Sequence, residues 1–111
     1  MEVKPQDIQM YETPDGNIPF KAWMDWLEKH KIEAYGVVMT RLDRIADGNF
    51  SNCEPVGEGV SELKIDFGPG YRVYFGQIGN EIVVLLTGGT KQTQKADIKL
   101  AKEYWRAFDA E

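Results

Sequence analysis

The stretch GYRVYFGQIGNEIVVLLTGGTKQTQKADIKLAKEYW, Gly70 to Trp105, decides the fold. Its first third alternates Tyr71, Val73 and Phe75 with Arg72 and Tyr74, the period of a strand with two unlike faces. Gly79-Asn80 reads as a turn, and Ile82 to Leu86 is apolar without alternation, which suits a strand covered on both faces or one in the middle of the sheet. The eight residues Thr87 to Gln94 contain no side chain suited to a core. Beyond them Ile98, Ala101, Trp105 and Phe108 recur at helical spacing. The polar octet is therefore a connector from strand to helix, or a site.

Working back from Gly70, Leu63, Ile65 and Phe67 alternate with Glu62, Lys64 and Asp66, and Gly68-Pro69-Gly70 closes a β-hairpin. If the odd-numbered residues face a core, Lys64, Asp66, Arg72 and Tyr74 share the opposite face. The preceding NFSNCEPVGEG has the Gly, Pro, Asn and Ser density of a surface loop. Tyr35, Val38, Met39, Leu42, Ile45 and Ala46 form one helical stripe ending before Gly48. Phe20, Trp23, Met24 and Leu27 form another after Pro19, with Asn17 placed to cap it. Ile8 and Met10 alternate with polar neighbours as a first short strand. The order β-αα-βββ-α predicts an α+β domain spanning residues 1–111, with a four-stranded, mostly antiparallel sheet and helices packed on one face.

Composition narrows the function. With 42% hydrophobic and 28% charged residues the chain is an ordinary globular one. Its longest apolar run is far short of a membrane span, and the N-terminus lacks a signal-peptide pattern, so no membrane partner and a cytoplasmic location are expected. One cysteine and one histidine provide no zinc cluster, so neither metal nor cofactor is expected. His30 reads as a helix-end cation, and Trp23, Trp26 and Trp105 as core or partner-facing. The net charge of −5 argues at first against a nucleic-acid partner, because phosphate contacts need clustered Lys and Arg. It is unevenly spread: residues 1–62 carry 6 Lys and Arg against 12 Asp and Glu, whereas residues 63–111 carry 7 against 6. An anion site belongs in the second half.

Two candidates lie there. Gly89, Thr90, Lys91 and Gln94 precede a helix, where free N–H groups, a favourable dipole and one lysine suit an anion, although glycine at such junctions often binds nothing. Lys64, Arg72 and Tyr74 share the polar face of the hairpin, where the plainer reading is cross-strand ion pairing on a solvated surface. If the hairpin adjoins the Ile82–Leu86 strand, Lys64, Arg72 and Lys91 converge, and three cations around one groove suit a phosphodiester.

ELKIDFGPGYRVYF followed by VVLLTGGTKQTQKADIKLAKEYW resembles the RelE/HigB-type addiction-module killer proteins, toxins of bacterial type II toxin–antitoxin pairs. The two-helix segment and the element order extend the resemblance over nearly the whole chain. It implies a RelE-like fold whose second sheet face is an active groove. It also implies a ribosome-dependent mRNA endoribonuclease, or mRNA interferase, that works without a metal and leaves a 2′,3′-cyclic phosphate, thereby inhibiting translation. The partners implied are a cognate antitoxin, mRNA and the ribosome. Carried over by position, Arg72 and Lys91 clamp the phosphate, and Lys64 transfers a proton or stabilises charge. Asp97 stands where some relatives have a catalytic tyrosine, Tyr104 lies at least a turn further on, and Glu62 replaces a basic residue. The family also contains ParE-like gyrase-binding toxins without chemistry, and that reading stays open beside one of an inactive antitoxin-binding remnant.

Overall fold

A computed structural model describes residues 3–110. The chain forms β1 (Asp7–Met10), α1 (Pro19–His30), α2 (Ile32–Ala46), β2 (Cys53–Gly57), β3 (Val60–Ile65), β4 (Tyr71–Ile78), β5 (Ile82–Thr90), a 3₁₀ turn (Lys91–Thr93) and α3 (Gln94–Asp109). The strands make one sheet in the order β1-β5-β4-β3-β2. β1 runs parallel to β5, and every other pairing is antiparallel. The domain is α+β, as expected.

The sheet has five strands rather than four, because the segment read as a loop contributes β2. Cys53 pairs with Leu63 and Glu54 with Glu62, and the register slips between Pro55 and Gly57. An edge position explains why sequence reasoning missed this strand: an edge tolerates a proline that donates no ladder bond, and the irregular register blurs alternation. The β2–β3 turn places Gly57, Glu58 and Gly59 successively at positive φ, which gives the segment its loop-like composition.

The expected packing of helices on one sheet face holds for the α1–α2 hairpin. Phe20, Met24, Leu27, Val38, Leu42 and Ile45 are buried there against Leu63, Ile65, Val73, Phe75, Val83 and Leu85. A single residue, Lys31, breaks the two helices apart. The cap before α1 is Ile18, without a side-chain bond, so Asn17 does not cap it. Phe67 lies beyond the end of β3 and is exposed, unlike Leu63 and Ile65.

α3 takes the opposite face. Ala101, Ile98, Tyr104, Trp105 and Phe108 pack with Val60, Tyr74, Val84 and Leu86 in a second core. The unalternating run Ile82 to Leu86 is thus explained: β5 is covered on both sides.

The two glycines do not end the strand. Tyr74 pairs with Thr87 and Phe75 with Leu85, so Leu86 is an extra residue, and β5 continues through Gly88 and Gly89 to Thr90. A side chain at Gly88 would strike the ring of Trp23 on one face, and one at Gly89 would strike Asp97 and Thr93 on the other. Gly76 likewise leaves room for the ring of Trp105. Glycine here serves close packing of a helix on each face rather than a turn.

Candidate functional site

The three cations expected to converge do so at one end of the sheet. Lys64 on β3 stands directly opposite Arg72 on β4, and Arg72 opposite Gly89 on β5. The Lys91 amide donates to the Gly70 carbonyl at 2.8 Å, returning the chain from β5 to the start of β4. Gly70, at φ 84°, is the pivot. A Cβ there would lie 3.4 Å from both Arg72 Nη1 and Lys91 Cβ.

The three differ in their surroundings. Lys64 is half-exposed and paired with Glu54 of β2 at 2.5 Å. Lys91 is exposed and, among the described residues, forms no ion pair. Arg72 retains only 9% of its accessible surface. Its Nη1 donates to the Tyr71 carbonyl at 3.0 Å, while Nε is buried without a partner and no carboxylate of the described residues pairs with it. A pocket of about 310 Å³ opens between Asn52, Lys64, Asp66 and Arg72. Two cations, one carboxamide and one carboxylate line it.

Behind this pocket lies a buried polar layer that sequence reasoning did not assemble. Glu62 and Tyr74 are cross-strand partners, 1% and 0% exposed, and Gln94 Nε2 donates to Glu62 Oε2 at 2.8 Å. Tyr74 Oη is buried beside the Glu62 carboxylate but makes no hydrogen bond of good geometry. Burial raises the Tyr74 phenol well above its ordinary range, with the charges of Glu62 and Asp97 adding and Arg72 opposing. Tyr74 therefore stays neutral. It lies on the predicted polar face, but α3 covers it, so it supports the pocket wall rather than reaching into solvent.

The GGTKQTQ segment is more closed than its composition suggests. The Thr90 amide donates to Thr93 Oγ1 at 3.2 Å, and the Thr93 hydroxyl donates to Asp97 Oδ2 at 2.5 Å. Gly89 is buried beneath those two side chains, and Gln94 turns inward to Glu62. Asp97 thus occupies the first turn of α3, where its charge suits the dipole. Lys91 is left exposed just past the end of β5.

The structure brings Lys64, Arg72 and Lys91 together, and it holds Tyr74, Gly89, Thr90 and Gln94 as their scaffold. Sequence reasoning missed Glu54, which required β2, and counted Glu62 and Asp97 only as departures from a family pattern. Strand alternation already placed Glu62 on the face of Lys64. Tyr104 is remote from this pocket, its ring 5.1 Å from that of Tyr11 in the second core. Burial pushes the Cys53 thiol up to about 11, with Arg41 opposing, so it is no thiolate nucleophile. Among the described residues no group of three or more His, Cys, Asp or Glu is placed to hold a metal ion, and no helix is long and apolar enough to cross a membrane.

No protein-family model and no solved structure matches the chain. An uncharacterized protein of Haemophilus influenzae (strain Rd) is 45% identical over 78 residues, covering 69% of this chain and 79% of that protein. The chain and this Haemophilus influenzae protein belong to one family.

Proposed function

We propose that this protein is the toxin of a type II toxin–antitoxin pair, similar to the RelE/HigB-type proteins, and that it cleaves mRNA on the ribosome without a metal. The observation that carries this reading is Arg72, a nearly buried guanidinium with no carboxylate partner, flanked by Lys64 and Lys91. Desolvating an unpaired charge is costly, and an anionic ligand offsets that cost. A phosphodiester fits, because its non-bridging oxygens accept hydrogen bonds from a guanidinium and from a lysine together. As the ribose 2′-hydroxyl attacks the phosphorus, charge builds on those oxygens, and fixed cations stabilise the transition state more than the ground state. Arg72 and Lys91 hold the phosphoryl oxygens, and Lys64 transfers a proton or adds to the charge stabilisation. A cognate antitoxin that masks the site or its rim completes the proposal.

The test is induction of wild type and of Arg72→Ala in growing cells, with mapping of mRNA 5′ ends and a parallel assay of DNA supercoiling. New 5′ ends within translated codons, absent in the variant, are expected. Altered supercoiling with intact mRNA would move the protein to the gyrase-binding class. Normal growth with neither change would end the toxin reading. Co-purification with the product of an adjacent small reading frame tests the antitoxin.

A further inference from the structure

The pocket beside Lys64 and Arg72 contains a carboxylate that no described residue engages. Asp66 stands one residue past the end of β3 and lines the pocket with Asn52, Lys64 and Arg72. Lys64 is taken by Glu54 at 2.5 Å, and the Asp66 side chain forms no hydrogen bond or ion pair with any described residue. The other nearby carboxylates are committed. Glu62 is buried and held by Gln94, and Asp97 is held by Thr93. Asp66 is exposed, so it reaches a bound ligand without rearrangement of the core.

We propose that Asp66 is the proton acceptor for the ribose 2′-hydroxyl, an inference that rests on the nuclease reading above. A general base must lie within hydrogen-bond reach of the proton it takes, and the cations of this pocket fix the phosphate beside Asp66. The O2′–H proton passes to an Asp66 carboxylate oxygen as the O2′–phosphorus bond forms and the phosphorus–O5′ bond breaks. The 5′-oxygen leaves with a proton from the Lys64 ammonium. The products are a 2′,3′-cyclic phosphate and a 5′-hydroxyl, after which Asp66 returns its proton to water and Lys64 regains one.

This role and mere surface placement predict opposite signs. A carboxylate without a chemical role repels a phosphodiester, so its removal would tighten binding and leave cleavage unchanged or faster. As the base, its removal slows cleavage by about 10²–10⁴-fold without weakening binding. The experiment measures single-turnover cleavage of mRNA on programmed ribosomes by wild type and Asp66→Asn over a range of pH. Affinity is measured with mRNA carrying a 2′-deoxyribose at the cleavage site. The expected result is the loss of rate, intact affinity, and disappearance of the acid-side limb of the pH profile, with Asp66→Glu restoring part of both rate and limb. The charged groups that face Asp66 are Lys64 on β3 and Arg72 on β4, with Glu54 of β2 paired to Lys64. Cleavage by Asp66→Asn within about threefold of wild type overturns the role of Asp66 and leaves the nuclease reading standing. A rate loss matched by lost affinity also overturns it, and a wild type that leaves mRNA intact overturns both.

Discussion

At the scale of single residues, the chain gives up stability in one place and gains it in others. Arg72 is largely desolvated and, among the described residues, pairs with no carboxylate, whereas a methionine of similar length would fill much the same volume with no charge to desolvate. Arg72→Met is expected to leave the unfolding free energy unchanged or raise it by up to about 1–3 kcal/mol, as measured by urea denaturation. The same variant should lose about 10²–10³-fold in cleavage rate, because a preorganised transition-state donor is removed. The glycines divide by their surroundings. Gly89→Ala drives a methyl into Asp97 and Thr93 and is expected to cost about 1–3 kcal/mol. Gly36 sits inside α2 with open space around it, so Gly36→Ala should stabilise by about 0.5–1 kcal/mol. A melting series of the two variants checks both signs.

At the scale of elements, the beginning of α3 is held to the sheet mainly by polar contacts. Gln94 satisfies the buried Glu62 carboxylate, and Thr93 ties Asp97 over Gly89. Further along the helix, Ala101 and Trp105 give it an apolar seat on β4 and β5. Gln94→Ala leaves the Glu62 carboxylate buried without its donor, and a cost of about 1–3 kcal/mol is expected. Hydrogen exchange should localise the effect, with amides of the first turn of α3 exchanging faster than those around Ala101. If both ends accelerate equally, the latch is not local. Tyr74→Phe is the contrasting case. Its hydroxyl makes no good bond, so its removal relieves desolvation and should leave stability near or slightly above wild type.

At the scale of the whole molecule, charge and proton binding make two further predictions. Among the described residues Lys64 and Arg72 are the cations that line the pocket, and Lys91 lies beside Arg72 across Gly70, in a chain that is acidic overall. Affinity for single-stranded substrate should therefore fall with salt at a log–log slope of only about −2, as release of three counterions implies. A much steeper slope would mean that a wider basic surface takes part. Tyr74 and Cys53 both have raised folded-state values, from ordinary values of 10.0 and 9.0. The folded state holds these protons more tightly than the unfolded chain. Their contribution is thus fully present below the unfolded values and is lost as pH rises: from 9.0 to about 11 for Cys53, and from 10.0 upward for Tyr74. Denaturant midpoints should fall over that alkaline range, and the fall should be shallower in a Cys53→Ala, Tyr74→Phe double variant.

Period and alternation alone determined the two-helix hairpin, the β3–β4 hairpin and the final helix. Each buries a face whose residues repeat at 2 or 3.6 positions, and that repeat is a local property of the chain. The same alternation placed Lys64, Asp66 and Arg72 on one side, which made the cation pocket legible in the chain itself. Tertiary structure decided the rest. β2 exists because β3 offers it an edge, and Pro55 with its irregular register left no periodic trace. The side on which α3 lies follows from Gly76 and Gly89, whose missing side chains admit Trp105 and Asp97, contacts between residues distant in sequence. That placement buries Tyr74 and Glu62, while among the described residues Arg72 has no carboxylate partner and Asp66 forms no hydrogen bond or ion pair, so it determines which polar residues of the face stay open. Sequence spacing shows which residues share a face, but burial and pairing depend on what packs against that face.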